Sequence, residues 1–279
     1  MAFVFCGTCG HLQSVAVAGR QARRPEFHTI YPALRASEYR ARRDRIYTPK
    51  LEWIVRSLRA AGVSPARLRR LRWMEIGAGG GYFLSALARF GARDIAGFDG
   101  DAALVAMAND ALGANRVVHE PEPSLSLALQ RHAADIYVAF FVLEHVDDAH
   151  AVFAQWRRLP RGTIVVFSVP VFGFSVLLDG VFERNYARQL DGIVHTQLYT
   201  DDSIRYAMKV AGLRTVAEWI FGQDVDDLNR FLLQNLASRY PRPLLESVSR
   251  RLSGIHDDLQ HVLDRSRLAD QRHVIGIRR

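Results

Sequence analysis

The apolar positions of this chain change period several times, and the changes mark alternating strands and helices. Met74, Glu75 and Ile76 form a short, mostly apolar run of the kind a buried parallel strand requires. Leu84, Leu87, Ala88 and Phe90 follow at helical spacing, and residues 92–98 then lead into a second strand that ends on Asp99. Residues 101–111 suit a helix with an acidic first turn, and residues 115–118 a short third strand. The next strongly apolar run is 134–143. After it comes a helix carrying Ala151, Val152, Phe153 and Trp156, which Pro160, Arg161 and Gly162 stop. Residues 163–170 make a β-branched strand, 213–221 a sixth and 272–279 a closing one. Seven strands interleaved with helices predict an α/β fold, a Rossmann-like sheet with helices on both faces.

Two stretches lie outside that alternation. Tyr39, Ile46, Leu51, Ile54, Val55 and Leu58 mark an amphipathic helical face ahead of the first strand, broken at 62–65. Near the other end, Leu245, Val248, Leu252, Ile255, Leu259 and Val262 recur every three or four residues, which predicts one buried stripe. The chain therefore divides into a segment 1–30, an N-terminal helical cap 31–70 and a main domain 71–279. That domain carries an insertion at 171–194 and a helical insertion at about 225–268, placed as a lid over a ligand or as a partner-binding helix pair.

Composition narrows the class. At 279 residues and 49% hydrophobic content, the chain can pack one large α/β domain with additions. No apolar run approaches the ~18 residues of a membrane span, and no secretion signal opens the chain, so the expectation is a soluble cytoplasmic protein. The net charge is +8, and of 37 basic residues only Lys50 and Lys209 are lysine. An arginine-rich face can hold phosphate or nucleic acid. The arginines are spread along the whole chain, however, and no nucleic-acid module is present, which favours a general bias of solvated faces.

Candidate chemistry begins after the first strand. Gly77, Gly79, Gly80 and Gly81 allow the backbone to turn sharply and approach a ligand. Asp99, ending the second strand, is placed to accept hydrogen bonds from ribose hydroxyls. A dinucleotide fingerprint needs G-x-G-x-x-G, but its third glycine would fall on Tyr82 or Leu84 depending on the frame. The pattern that fits is acid-x-G-x-G-x-G, formed by Glu75, Gly77, Gly79 and Gly81.

With Asp99, that pattern resembles the first motif of the class I S-adenosylmethionine (SAM) methyltransferases. The resemblance implies that the loop wraps the amino-acid part of SAM beside Glu75 and that Asp99 binds the ribose. Leu143-Glu144-His145-Val146, directly after the fourth strand, is similar to a recurrent signature of the same family. His145 is a candidate general base, its ordinary pKa lying near ~6.5, and Glu144 is expected to orient or shape the pocket. The run from His195 through Tyr199 and Thr200 to Ser203, before a helix, is common in these proteins. It makes His195 a second candidate for catalysis or acceptor binding and Thr200 an N-cap. Glu120 is the candidate for the adenine position. Tyr31, Tyr39 and Tyr47 lie on the covering helices, where aromatic packing competes with ligand contact.

Cys6 and Cys9, the only cysteines, stand in a C-x-x-C-G-H segment with the look of a zinc knuckle. A structural zinc needs four ligands; His11 and His28 offer nitrogens, but their spacing matches no standard motif. The segment resembles the second half of a four-cysteine module found ahead of some bacterial methyltransferase domains, including sugar C-methyltransferases. A truncated or decayed module, zinc binding by this chain, and two reduced thiols in a disordered tail all stand as readings.

The resemblance implies in-line methyl transfer from SAM to a small-molecule acceptor, such as a sugar or secondary metabolite, with no catalytic metal, nucleic acid or membrane called for. A catalytically silent SAM-fold subunit and an NAD-dependent oxidoreductase are the alternatives. Oligomeric state is not legible.

Overall fold

The structure is a computed structural model and describes residues 3–15, 36–120, 129, 131–182 and 194–279. In chain order the elements begin with β1 (Phe3–Phe5), β2 (Leu12–Ser14), α1 (Ala36–Arg42), a π-helical turn (Arg43–Tyr47), α2 (Thr48–Ala60) and α3 (Pro65–Leu68). They continue with β3 (Arg72–Ile76), α4 (Tyr82–Phe90), β4 (Asp94–Asp99), α5 (Ala102–Leu112), β5 (Val117–His119) and β6 (Ile136–Phe140). A 3₁₀ turn (Leu143–His145), α6 (Ala149–Trp156), β7 (Ile164–Pro170), α7 (Phe174–Phe182), β8 (Gln197–Leu198) and α8 (Asp201–Val210) follow. The chain closes with β9 (Leu213–Ile220), α9 (Asp224–Leu236), α10 (Arg242–Gly254), α11 (His256–Arg265) and β10 (Gln271–Arg278).

The expected seven strands form one sheet in the order β5-β4-β3-β6-β7-β10-β9. From β5 to β7 every pairing is parallel, and β10 runs antiparallel to both β7 and β9. β6 and β7 are buried at every position, which explains their unbroken apolar sequences. Side chains alternate between the two faces. Trp73, Val138 and Val166 join Ile54, Leu58 and Phe83 on one side, whereas Met74, Tyr137 and Val165 join Trp156 and Ile204 on the other. Chain order reverses between β3 and β6, so the carboxyl ends of these strands form a topological switch point where ligands of such sheets bind.

Two expectations need correcting. The stripe from Leu245 to Val262 is not one buried face. The helix breaks at Ile255, where φ is −115°, so the positions beyond it rotate out of phase. Val248, Ile255 and Val262 are exposed, while Leu245 in α10 and Gln260 and Leu263 in α11 are buried. The amino-terminal segment is no unstructured tail over residues 3–14, because β1 and β2 form a hairpin and β2 pairs antiparallel with β8. Cys6 and Cys9 lie in its turn, closed by the Cys6 N–H on the His11 carbonyl and the Gly10 N–H on the Cys6 carbonyl, each 2.8 Å. His28 and Tyr31 lie outside the described residues.

Candidate active site

The glycine loop leaves β3 with Gly77, Gly79 and Gly81 all at positive φ. At Gly77 a Cβ would come within 2.5 Å of Val142 Cγ2, and at Gly81 within 2.9 Å of Ala108 Cβ, whereas at Gly79 it would meet nothing within 4 Å. The two outer glycines are therefore required by close packing, and the middle one faces open space. The N–H of Gly79 donates to Asp99 Oδ2 at 2.7 Å, and the N–H of Asp101 donates to Oδ1 at 2.9 Å. The carboxylate that ends β4 thus sits against the glycine bend with lone pairs to spare. Burial raises its pKa, and the backbone N–H groups of Asp101 and Gly79 oppose that rise.

Glu75, near the end of β3, is the second carboxylate beside the glycine loop. It is 3% exposed. The Leu84 N–H bonds to it under the amino terminus of α4, whose N-cap, Gly81, has no side chain to offer. Burial first, then the negative charge of Asp99, pushes its pKa well above the carboxylate range. Glu75 holds the loop from beneath.

The helical cap closes the loop from outside. Tyr39 Oη donates to the Gly80 carbonyl at 3.0 Å, and Tyr39 and Tyr47 both stack on Tyr82. Arg43, buried in the π-helical turn, reaches Ser85 Oγ at 3.4 Å. Such turns often mark functional positions in helices.

β6 delivers the other wall. Phe141, directly after it, has φ +56°, a left-handed conformation costly for an aromatic residue and of the kind concentrated at functional sites. Val142 packs on Gly77, so the turn carrying Glu144 and His145 is braced against the glycine loop. Glu144 is 1% exposed, and burial raises its pKa to about 8. Its Oε2 has no hydrogen-bond partner among the described residues. His145 Nδ1 donates to the Val194 carbonyl at 2.9 Å, and the Thr196 N–H donates to the Glu144 carbonyl at 2.8 Å. These two bonds bring His195 beside His145, with ring centroids 4.9 Å apart. Glu144 and His145, with His195 fifty positions further along the chain, form one cluster at the sheet edge. Thr200 caps α8 as expected, accepting from the Ser203 N–H.

Glu120 follows β5, where its N–H bonds the Asp99 carbonyl at 2.9 Å. Its carboxylate is engaged by Arg131 at 2.5 Å and His132 at 3.1 Å, the latter contributing most to its lowered pKa. Cys6 is exposed and Cys9 half-buried. His11 Nε2 hydrogen-bonds Gln197 Oε1 at 2.6 Å.

Sequence reasoning missed Lys50. It is 5% exposed, with Nζ 4.7 Å from the Phe140 ring centre, 4.8 Å from Phe141 and 5.3 Å from Tyr47. Burial lowers its pKa to about 8, against the pull of Glu75 and Glu144. Its signal was compositional: a lysine in a chain that otherwise uses arginine almost everywhere marks a position where guanidinium does not serve. Also missed was the aromatic wall from β9 and β10, where His273, fully buried, stacks against both Trp219 and Phe221, which also stack on each other.

Among solved structures, a putative sarcosine dimethylglycine methyltransferase from Galdieria sulphuraria is 18% identical over 81% of this chain and 84% of its own, with a TM-score of 0.51. Magnesium protoporphyrin IX methyltransferase from Synechocystis PCC 6803, solved with bound SAH, is 15% identical over 91% and 93%, with a TM-score of 0.52. These likenesses carry the fold. No curated protein matches the chain. The sequence family described as a methyltransferase domain matches residues 39–218, from the covering helix through the glycine loop and the Glu144–His145 turn to β9. That match spans more than half the chain, which therefore belongs to the class I SAM-dependent methyltransferases.

Proposed function

We propose that this enzyme methylates a small-molecule acceptor, of the sugar or secondary-metabolite type, in the cytoplasm of a bacterium. The observation that carries the reading is the 2.7 Å contact between Asp99 and the Gly79 N–H, beside an open space over Gly79 and next to the histidine-bearing turn. Asp99 would take the ribose hydroxyls, and the backbone of 77–81 the amino-acid end of SAM. Bound there, SAM supplies a methyl group already activated by its sulfonium. The protein's contribution is proximity and orientation. Lys50 lies buried among the Phe140, Phe141 and Tyr47 rings, and His145 and His195, side by side, are the groups that could take an acceptor proton. The free thiols of Cys6 and Cys9 suit a cytoplasmic setting.

Isothermal titration of the full chain with SAM and with NAD tests this reading. SAM is expected to bind and NAD to fail; NAD binding without SAM binding overturns it. SAM binding with no turnover across a panel of sugars, phenols and amines would instead identify a silent subunit.

A further inference from the structure

Methyl transfer alone does not account for how Glu144, His145 and His195 are arranged. One ligand atom from each lies within 4.8 Å of the others. The cluster is assembled deliberately, by backbone bonds between two segments about fifty residues apart. A carbonyl only accepts, so the bond to Val194 fixes the proton of His145 on Nδ1, and in the neutral ring the lone pair sits on Nε2. Metal-bound histidines are held in this way, by an outer N–H on a backbone carbonyl. Glu144 Oε2 is buried at the same place with no hydrogen-bond partner among the described residues. An ionised carboxylate in that position is costly unless a cation or donor meets it. Lys50 makes no ion pair with it among the described residues.

We propose that Glu144, His145 and His195 bind one divalent first-row transition-metal ion, which in turn holds a hydroxyl oxygen of the methyl acceptor. Two imidazoles and one carboxylate, leaving open coordination positions, suit zinc, manganese or iron. Magnesium and calcium prefer oxygen-only shells. Three atoms no more than 4.8 Å apart lie at most roughly 2.8 Å from a common centre, against about 2.1 Å for a metal–imidazole bond. Each side chain would close in by well under an ångström, which rotamer adjustment provides.

The link to catalysis rests on the methyl-transfer reading; the site itself does not. With His145 and His195 engaged as ligands in place of general bases, the acceptor O–H on the metal would lose its proton to solvent at a lower pH than a free hydroxyl. The oxygen lone pair then forms the O–CH₃ bond as the C–S bond breaks, and that electron pair returns to sulfur, giving a neutral thioether. The acceptor class is thereby an alcohol or phenol, and the reaction O-methylation.

The test uses the full chain with Cys6→Ser and Cys9→Ser, so that the hairpin thiols contribute nothing. After stripping with a chelator, Mn(II) is titrated and free Mn(II) is read by EPR. One equivalent is expected to bind, and His195→Ala or Glu144→Gln should each weaken binding beyond the about 10–100-fold typical of outer-shell changes. Pulsed EPR of the chain with all three ligands intact should show two imidazole nitrogen couplings, a readout independent of whether the variants fold. Absence of stoichiometric binding, unchanged affinity in His195→Ala, or fewer than two nitrogen couplings overturns the site. SAM is titrated in parallel: SAM binding without metal binding sinks only the metal site, whereas metal binding without SAM binding sinks the methyltransferase reading of the cleft.

Discussion

The contact between Gly77 and Val142 joins the glycine loop to the turn that carries Glu144 and His145, and Gly77→Ala is the perturbation that reads it. Gly77 has φ +67°, and an added Cβ would stand 2.5 Å from Val142 Cγ2 and 3.6 Å from Val142 Cβ and Cγ1. Holding alanine in the left-handed region costs about 1–2 kcal/mol, and forcing a methyl into filled space about 1–3 kcal/mol. Gly77→Ala should therefore lose about 2–5 kcal/mol, by the sum of those two costs. Val142→Ala alone, removing two carbons from a partly buried site, should lose about 1 kcal/mol. In the double variant the overlap disappears while the backbone strain stays, so part of the loss returns as a coupling energy of about 1–3 kcal/mol. Urea unfolding of the four proteins measures the cycle, and SAM titration shows whether the loop's binding geometry returns with the stability. If the two single losses simply add, to within about 0.5 kcal/mol, Val142 does not brace the loop and the coupling between the two walls is wrong.

Three further outcomes follow from the same geometry. Asp99→Ala should weaken SAM binding by about 2–4 kcal/mol, or roughly 30- to 1,000-fold by titration, for lost charged hydrogen bonds to two hydroxyls; unchanged affinity would remove Asp99 from the ribose. Lys50 is depressed to about 8, so its buried charge burdens the fold fully below pH 8, and the burden fades as pH rises toward its unfolded value. Lys50→Met should accordingly stabilise the protein by about 1–3 kcal/mol at pH 7 and by progressively less toward pH 10.5, read by denaturant midpoints; a loss at pH 7 refutes the assignment. For Asp201, burial raises the pKa but Arg267 and Arg272, each 2.8 Å away, prevail and lower it to about 2. The stabilisation is present above the unfolded carboxylate range and lost as pH falls through 2; after discounting for solvent exposure, Asp201→Asn should cost about 1–2 kcal/mol at pH 7 and nothing at pH 2.

Strands buried on both faces were legible because burial leaves only apolar side chains, as from Ile136 to Phe140 and from Ile164 to Pro170. Their order was not: nothing in the period of Gln271–Arg278 says that β10 inserts between β7 and β9 in the antiparallel sense. The stripe from Leu245 to Val262 failed because spacing cannot see a break at Ile255. Gly77, Gly79, Gly81 and Asp99 stood out because only certain residues serve a close backbone turn and a strand-end acceptor. The depth at which Glu75 and Glu144 are buried is a property of packing, set by helices elsewhere in the chain, and no local pattern records it.

The hairpin over residues 3–14 ties down the segment that follows His195, a part of the chain far from it in sequence. β8 begins two residues after His195, pairs with β2, and its Gln197 side chain spans from His11 to the carbonyl of Asp147. Proteolytic clipping or an affinity tag near Phe3 would thus disturb a histidine nearly two hundred positions downstream. On the proposed role of His195, preparations with ragged starts would bind SAM yet turn over poorly, and mass spectrometry of the first peptide checks for them.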